Sequence, residues 1–136
     1  NMKKLLIGLC LLPLFSIGQT TKEVLIELKK QKVKYPEIVL AQSILETGWY
    51  DCKNCSLDNN NLFGLWNYKK QEYYYYTNWK ESIGGYKRGI QYKYFKKEYK
   101  DYYHFLSEIG YATDPQYIIK IKNIVKKNEK NSKKSE

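Results

Sequence analysis

The sequence predicts a small, mainly α domain with one minor β element, and three observations carry that prediction. At 136 residues the chain is one domain's worth, since single domains usually hold roughly 100–200 residues. Apolar residues recur at three- and four-residue steps in about five separate runs, as they do in helices that bury one face. One segment breaks that rhythm: "LWNYKKQEYYYYT", Leu65 to Thr77, sets aromatic residues on either side of Lys69, Lys70 and Gln71. That is the pattern of a small hairpin. No internal repeat is present.

The first run, "TKEVLIELKKQKVKYP", puts Val24, Leu25, Leu28 and Ile26 on one broad face with lysines opposite, and ends before Pro36. Pro36 suits the first turn of a second helix, where its missing N–H costs nothing. Ile38, Ala41, Gln42, Leu45 and Glu46 follow at helical spacing, and Gly48 is a C-terminal stop. "DCKNCSLDNNNLFG" is rich in Asn, Asp and Ser and reads as a loop before the hairpin. Asn78 with Glu81 three residues later has capping-box spacing and opens a helix with Ile83, Tyr86, Ile90 and Tyr94 as its stripe. Its glycines, Gly84, Gly85 and Gly89, each weaken that helix by up to about 1 kcal/mol relative to alanine. A further helix fits "EYKDYYHFLSEI", with Tyr99, Tyr102, Leu106 and Ile109 inward and Gly110 as terminator. The last begins at "TDPQYIIKIKNIV", capped by Thr113 or Asp114 with Pro115 in its first turn, and faces Ile118, Ile121 and Val125 to the core.

The N-terminal stretch "MKKLLIGLCLLPLFSIGQT" joins two lysines to the apolar run Leu5 to Phe15 and the small residues Ser16 and Gly18. This is the layout of a secretory signal, with cleavage expected after Gly18. The run falls short of the ~20 residues that a transmembrane helix needs. Lipidation at Cys10 is the weaker reading, because Leu9 stands where a small residue should precede the cysteine. Cleavage removes Lys3 and Lys4 and lowers the formal charge from +10 to +8. A strongly basic exported protein is drawn to envelope polyanions rather than to chromosomal DNA. Much of the excess lies in the tail, residues 126–136, which is expected to be disordered and highly charged. The domain proper is therefore residues 19–125.

Two cysteines remain, in "DCKNC". With His104 the sole histidine, a closed zinc site of four ligands is disfavoured. In an oxidising compartment a Cys52–Cys55 disulfide is expected to staple the loop. A redox Cys-x-x-Cys role would need a thioredoxin-like strand-to-helix setting, which this stretch lacks.

Chemistry concentrates in "AQSILETGWY", Ala41 to Tyr50, where Glu46 is the one charged residue. A glutamate in the last turn of a helix meets the negative end of the dipole. Burial beside Leu45, Trp49 and the hairpin aromatics would add to that effect. Both raise a carboxyl pKa, as is needed for a proton donor near neutral pH. Aromatic rings pair an apolar face with a polar tip, as sugar-stacking side chains do. Trp49, Trp66 and Tyr74 are candidates for a cleft wall, and about half of Tyr73 to Tyr76 would face it if the segment is a strand.

"AQSILETGWY", then "NNLFG" (Asn60 to Gly64), then "GYATDPQY" (Gly110 to Tyr117) together resemble the glucosaminidase family of peptidoglycan hydrolases, glycoside hydrolase family 73. The motifs occur in the family's order, and the resemblance covers about Lys22 to Val125. It implies a lysozyme-like fold, with a catalytic glutamate on a helix facing a sugar cleft and a β-hairpin as the opposite wall. It implies no metal or organic cofactor, and a peptidoglycan strand as partner. Carried across by position, the catalytic acid falls on Glu46, which would protonate the leaving glycosidic oxygen. Asn60 and Asn61 would order their loop and meet the glycan, Leu62 and Phe63 would pack, and Tyr111 would orient the sugar or stabilise an oxocarbenium-like transition state. Asp114 reads as a helix cap.

This chain departs from the family pattern where many relatives carry a second acidic residue in an extended hairpin. Here the hairpin is short and offers only Glu72. Glu81 is the other candidate, already accounted for by its capping position. Participation by the substrate's N-acetyl group is a further route. The expectation is an exported endo-β-N-acetylglucosaminidase, secreted or periplasmic. Its rivals are an N-acetylmuramidase or lytic transglycosylase on the same fold, and a non-catalytic envelope-binding module.

Overall fold

The computed structural model describes residues 20–135, so the expected leader and Cys10 lie outside the described residues. Five α-helices and one hairpin follow in chain order: α1 (Thr21–Lys30), α2 (Pro36–Thr47), β1 (Trp66–Asn67), β2 (Glu72–Tyr73), α3 (Trp79–Gly89), α4 (Tyr102–Glu108) and α5 (Tyr117–Lys134). Short 3-10 helices at Ser56–Asn59 and Gln91–Lys96 precede the hairpin and follow α3. The architecture is mainly α and lysozyme-like, with a two-stranded antiparallel ribbon in which Trp66 pairs with Tyr73 and Asn67 with Glu72.

Helix α2 is the axis of the fold and packs against both α1 and α5. The expected single stripe understates it: Val39, Leu40, Ala41, Gln42, Ser43, Ile44 and Thr47 are all buried. A helix that is apolar nearly all round belongs inside, and "IVLAQSIL" has that composition. Val39, Leu40 and Ile44 join Val24 and Leu28 of α1, Leu62 and Phe63 of the loop, and Tyr86, Tyr102, Phe105 and Leu106 of the later helices in one core. Ala41 meets Tyr117 and Ile121 of α5 in a second, smaller one. On α1, Ile26 stands outside the expected stripe and is exposed.

Caps set the helix boundaries. Thr20 accepts from the Glu23 amide and opens α1. Asn78 accepts from the Glu81 amide at 3.2 Å, and Glu81 in return accepts from the Thr77 amide, closing the predicted box one residue upstream. Helix α4 starts later than the periodicity suggests, because Asp101 takes the His104 amide at 2.7 Å and so fixes the first turn there. Tyr99 is left ahead of the helix, half-buried. At α5, Asp114 accepts from the Gln116 amide one turn early and pairs with Lys120.

Helix α5 runs on to Lys134, through most of the stretch that the sequence reads as a charged tail. That stretch holds no Gly or Pro to stop a helix. Its lysines also stand at the helix C-terminus, where the dipole favours cations.

Candidate active site

The residues of "SILETGWY" shape the end of α2. Gly48, at φ +53°, caps the helix by sending its N–H back to Ile44 and Leu45. The Thr47 hydroxyl donates to the Ser43 carbonyl at 2.7 Å and accepts from the Tyr50 amide at 2.9 Å. The Tyr50 phenol folds back onto the Ser43 hydroxyl at 2.7 Å. The chain is thus locked immediately beyond Glu46, and the carboxyl is held in the helix's last turn.

Glu46 lines a cleft of about 580 Å³. Gly64 lies on it: a Cβ built there would come within 2.7 Å of the Glu46 Oε1, at a backbone φ of +62° that favours glycine in any case. Burial pushes the Glu46 pKa up to about 7, partly offset by the neighbouring Tyr117 hydroxyl. The shift favours the protonated form far closer to neutral pH than for an ordinary carboxylate, as a general acid requires. Glu46 is the one carboxylate among the cleft-lining residues.

The loop before the hairpin is tied down by asparagines. Asn61 is fully buried. Its Nδ2 donates to the Leu65 and Tyr74 carbonyls, and its Oδ1 accepts from the Phe63 and Leu65 amides. That uses all its hydrogen-bonding capacity, so Asn61 builds the wall and has nothing left to offer a sugar. Asn60, itself at φ +57°, donates to the Tyr76 and Thr77 carbonyls. Neither amide lines the cleft, which assigns both to ordering the loop. Leu62 and Phe63 pack in the core as expected.

Across the cleft, Trp66 of β1 and Tyr74 line the hairpin wall, as do Tyr68 and Tyr76. Tyr74 and Tyr76 face in while Tyr73 and Tyr75 do not, following the alternation of a strand. Tyr73 instead braces the back of Trp66 in an edge-on contact at 5.0 Å. The Tyr76 hydroxyl reaches so close to Gly85 of α3 that a Cβ there would collide with it. The glycine that weakens the helix is what lets the hairpin close onto it.

Two candidates stand elsewhere than the sequence suggests, and a third is engaged in an internal bond. Trp49 does not line the cleft; it is 45% exposed and Lys127 of α5 lies over its ring at 4.8 Å, because the left-handed backbone at Gly48 and Trp49 turns the chain away from the helix axis. Glu72 is exposed on β2 and is not among the cleft-lining residues. Tyr111 does line it, yet its hydroxyl donates to the Phe63 carbonyl at 2.7 Å and so pins the loop that carries Gly64. Cys52 and Cys55 are disulfide-linked, with Cα atoms 6.1 Å apart, in the loop that follows α2.

Sequence reasoning missed Arg88, the chain's sole arginine, which lines the cleft with Lys93. Its singularity among so many lysines was the available signal. It also missed Tyr117, which was quoted within a motif but given no role.

A mainly helical, lysozyme-like domain with one desolvated carboxyl in an aromatic-walled cleft has the layout of a glycoside hydrolase. The chain matches the Glucosaminidase family model, described as mannosyl-glycoprotein endo-beta-N-acetylglucosaminidase, over residues 22–130. It belongs to that family of glycoside hydrolases. No individual curated protein matches the sequence. Among the described residues no helix is long and apolar enough to cross a membrane.

Proposed function

We propose that this protein is an exported endo-β-N-acetylglucosaminidase that cuts the glycan strand of peptidoglycan, with Glu46 as general acid. The observation that carries the reading is the placement of Glu46: the lone carboxylate of the cleft, buried until its pKa reaches about 7. Trp66 and Tyr74 supply apolar faces for the sugar rings. Tyr111 acts by holding Gly64 against Glu46. Arg88 and Lys93 give the cleft a positive rim suited to the carboxylates of an anionic wall polymer.

Glu46 gives its proton to the glycosidic oxygen as the bond to the anomeric carbon breaks. With no second carboxylate beside it in the cleft, the substrate's own 2-acetamido oxygen is the nearest group to stabilise that carbon from the opposite face, as in substrate-assisted glycosidases. Glu46, now ionised, then takes a proton from the water that completes hydrolysis. Glu72 is the alternative second carboxylate and would need the hairpin to bend inward.

The test is digestion of purified peptidoglycan by the mature protein and by Glu46→Gln, with the released fragments reduced and identified by mass spectrometry. N-acetylglucosamine at the new reducing ends, lost in the variant, supports the reading. Muramic acid or its anhydro form there transfers the protein to the muramidases or transglycosylases. Sedimentation with the wall without any release makes it a binding module.

A further inference from the structure

A second groove, of about 500 Å³, lies along α3 beside the cleft. Tyr76 and Arg88 line both cavities, so cleft and groove meet at that pair of side chains. Past them the groove is lined by Lys80 and Glu81 of α3 and by Gln31 at the end of α1. Its walls are polar and carry both signs of charge, unlike the aromatic wall of the cleft.

Two adjacent glycines seat the pair. The Tyr76 hydroxyl rests on Gly85, and the three nearest atoms to a Cβ added at Gly84 all belong to the Arg88 guanidinium, with Nη1 at 2.8 Å. Arg88 stands four residues beyond Gly84 on the same helix, so its side chain leans back along α3 over that glycine. The guanidinium therefore lies on the helix surface where cleft and groove join. The other charges of the groove are already engaged: Lys80 pairs with Glu27 at 3.8 Å, and Glu81 accepts from the Thr77 amide. Arg88 has no ion-pair partner among the described residues. Its planar fork of donors, the group best matched to a carboxylate, is left for a ligand.

We propose that this groove receives the short peptide that branches from a peptidoglycan strand, with Arg88 taking a peptide carboxylate. The inference rests on the reading of the cleft as the seat of that strand. A substituent that leaves the cleft past Tyr76 enters the groove, where it meets the cation of Arg88 first and the carboxylate of Glu81 beyond it. A peptide with a free carboxylate and a free amine satisfies both: the carboxylate pairs with the guanidinium through two parallel hydrogen bonds, and the amine faces Glu81. An unbranched chain of neutral sugars offers neither group. Arg88 is on this account a specificity residue, which selects the decorated strand and takes no part in breaking the bond.

The test is calorimetric titration of the Glu46→Gln protein, used to suppress turnover, with two probes: soluble glycan chains that carry their peptides, and the same chains after an amidase has removed them. The peptide-bearing chains should bind about tenfold tighter, the worth of one charge-assisted pair. Arg88→Gln, at an exposed position, should abolish that preference. Gly84→Ala displaces the guanidinium without removing its charge, and should weaken the preference while raising the melting temperature, because alanine favours the helix. Equal affinity for the two probes overturns the proposal and would mean that Arg88 reads the sugar's own ether-linked carboxyl, which the amidase leaves in place. Full preference retained in Arg88→Gln, an equal loss on both probes, or no binding of either also overturns it. Binding is read without cleavage, so a wild-type protein that binds with this preference yet never cuts peptidoglycan would sink the glycosidase reading and leave the groove's assignment standing.

Discussion

Behind Glu46, helix α2 buries seven of its residues and its polar side chains end on buried partners. Across the cleft the hairpin has strands of two residues each, and Trp66, Tyr68, Tyr73 and Tyr74 stay exposed on it. The helical wall is over-determined: five elements contribute to a buried polar chain that runs from Gln91 through Tyr102, Tyr86 and Gln42 to Tyr117. The hairpin wall is anchored at its base, by Asn60, Asn61 and Tyr76, and little holds its tip. Local stability follows buried contacts, so the two walls divide the work. One presents a proton in a fixed place; the other presents rings that can adjust to a sugar.

The sharpest way to break this comparison is to remove the proton. Glu46→Gln keeps the shape of the side chain and should lower the rate of fragment release by about a thousandfold, with no loss of melting temperature because a buried acid has been replaced by a neutral amide. Displacing the acid without removing it comes next. Gly64→Ala puts a Cβ against Glu46 Oε1 at a left-handed backbone position, and should cost about 1–2 kcal/mol in denaturant unfolding together with most of the activity. On the opposite wall the effects should be on binding. Trp66→Ala is expected to raise KM about tenfold with kcat little changed, the worth of one aromatic contact, while Trp49→Ala, outside the cleft, leaves KM unaltered. The smallest effect is assigned to Glu72→Gln, which should leave kcat within about a factor of two, as for an exposed side chain without partners. A large kcat loss there would show that the hairpin bends in to deliver a second carboxylate.

The same division explains what could be read from the chain alone. The helices were legible because periodicity and caps are local: Pro36, Gly48 and the Asn78–Glu81 box lie within a turn of the boundaries they set. Glu46 was legible because it is the one charge in a run that otherwise avoids charge. The burial of α2 on all sides was not, since apolar spacing shows one face and α1 and α5 cover the others from distant parts of the sequence. The roles of Tyr117, Gln91 and Gly64 depend on partners far along the chain, such as Gln42 with Tyr117 and Phe63 with Tyr111, and no local pattern announces such pairs. The family resemblance implied that Asn61 orders its loop and meets the glycan. Three of its four internal hydrogen bonds close a turn onto Phe63 and Leu65, and the fourth, to the Tyr74 carbonyl, forms only when the hairpin has folded over it. Trp49 misled for a related reason, as a ring next to the acid in sequence is turned away by the left-handed cap between them.

The most direct test of the account is the pH dependence of kcat for fragment release. The active form of Glu46 is the protonated one, so activity must fall as pH rises through its pKa. The account predicts a basic limb with an apparent midpoint at about 7, matching the midpoint of the Glu46 carboxyl titrated in the free protein to within the shift that bound substrate imposes. A rate that stays level from weakly acidic to clearly alkaline pH, in an enzyme that cleaves peptidoglycan, would contradict it and show that the proton comes from another group.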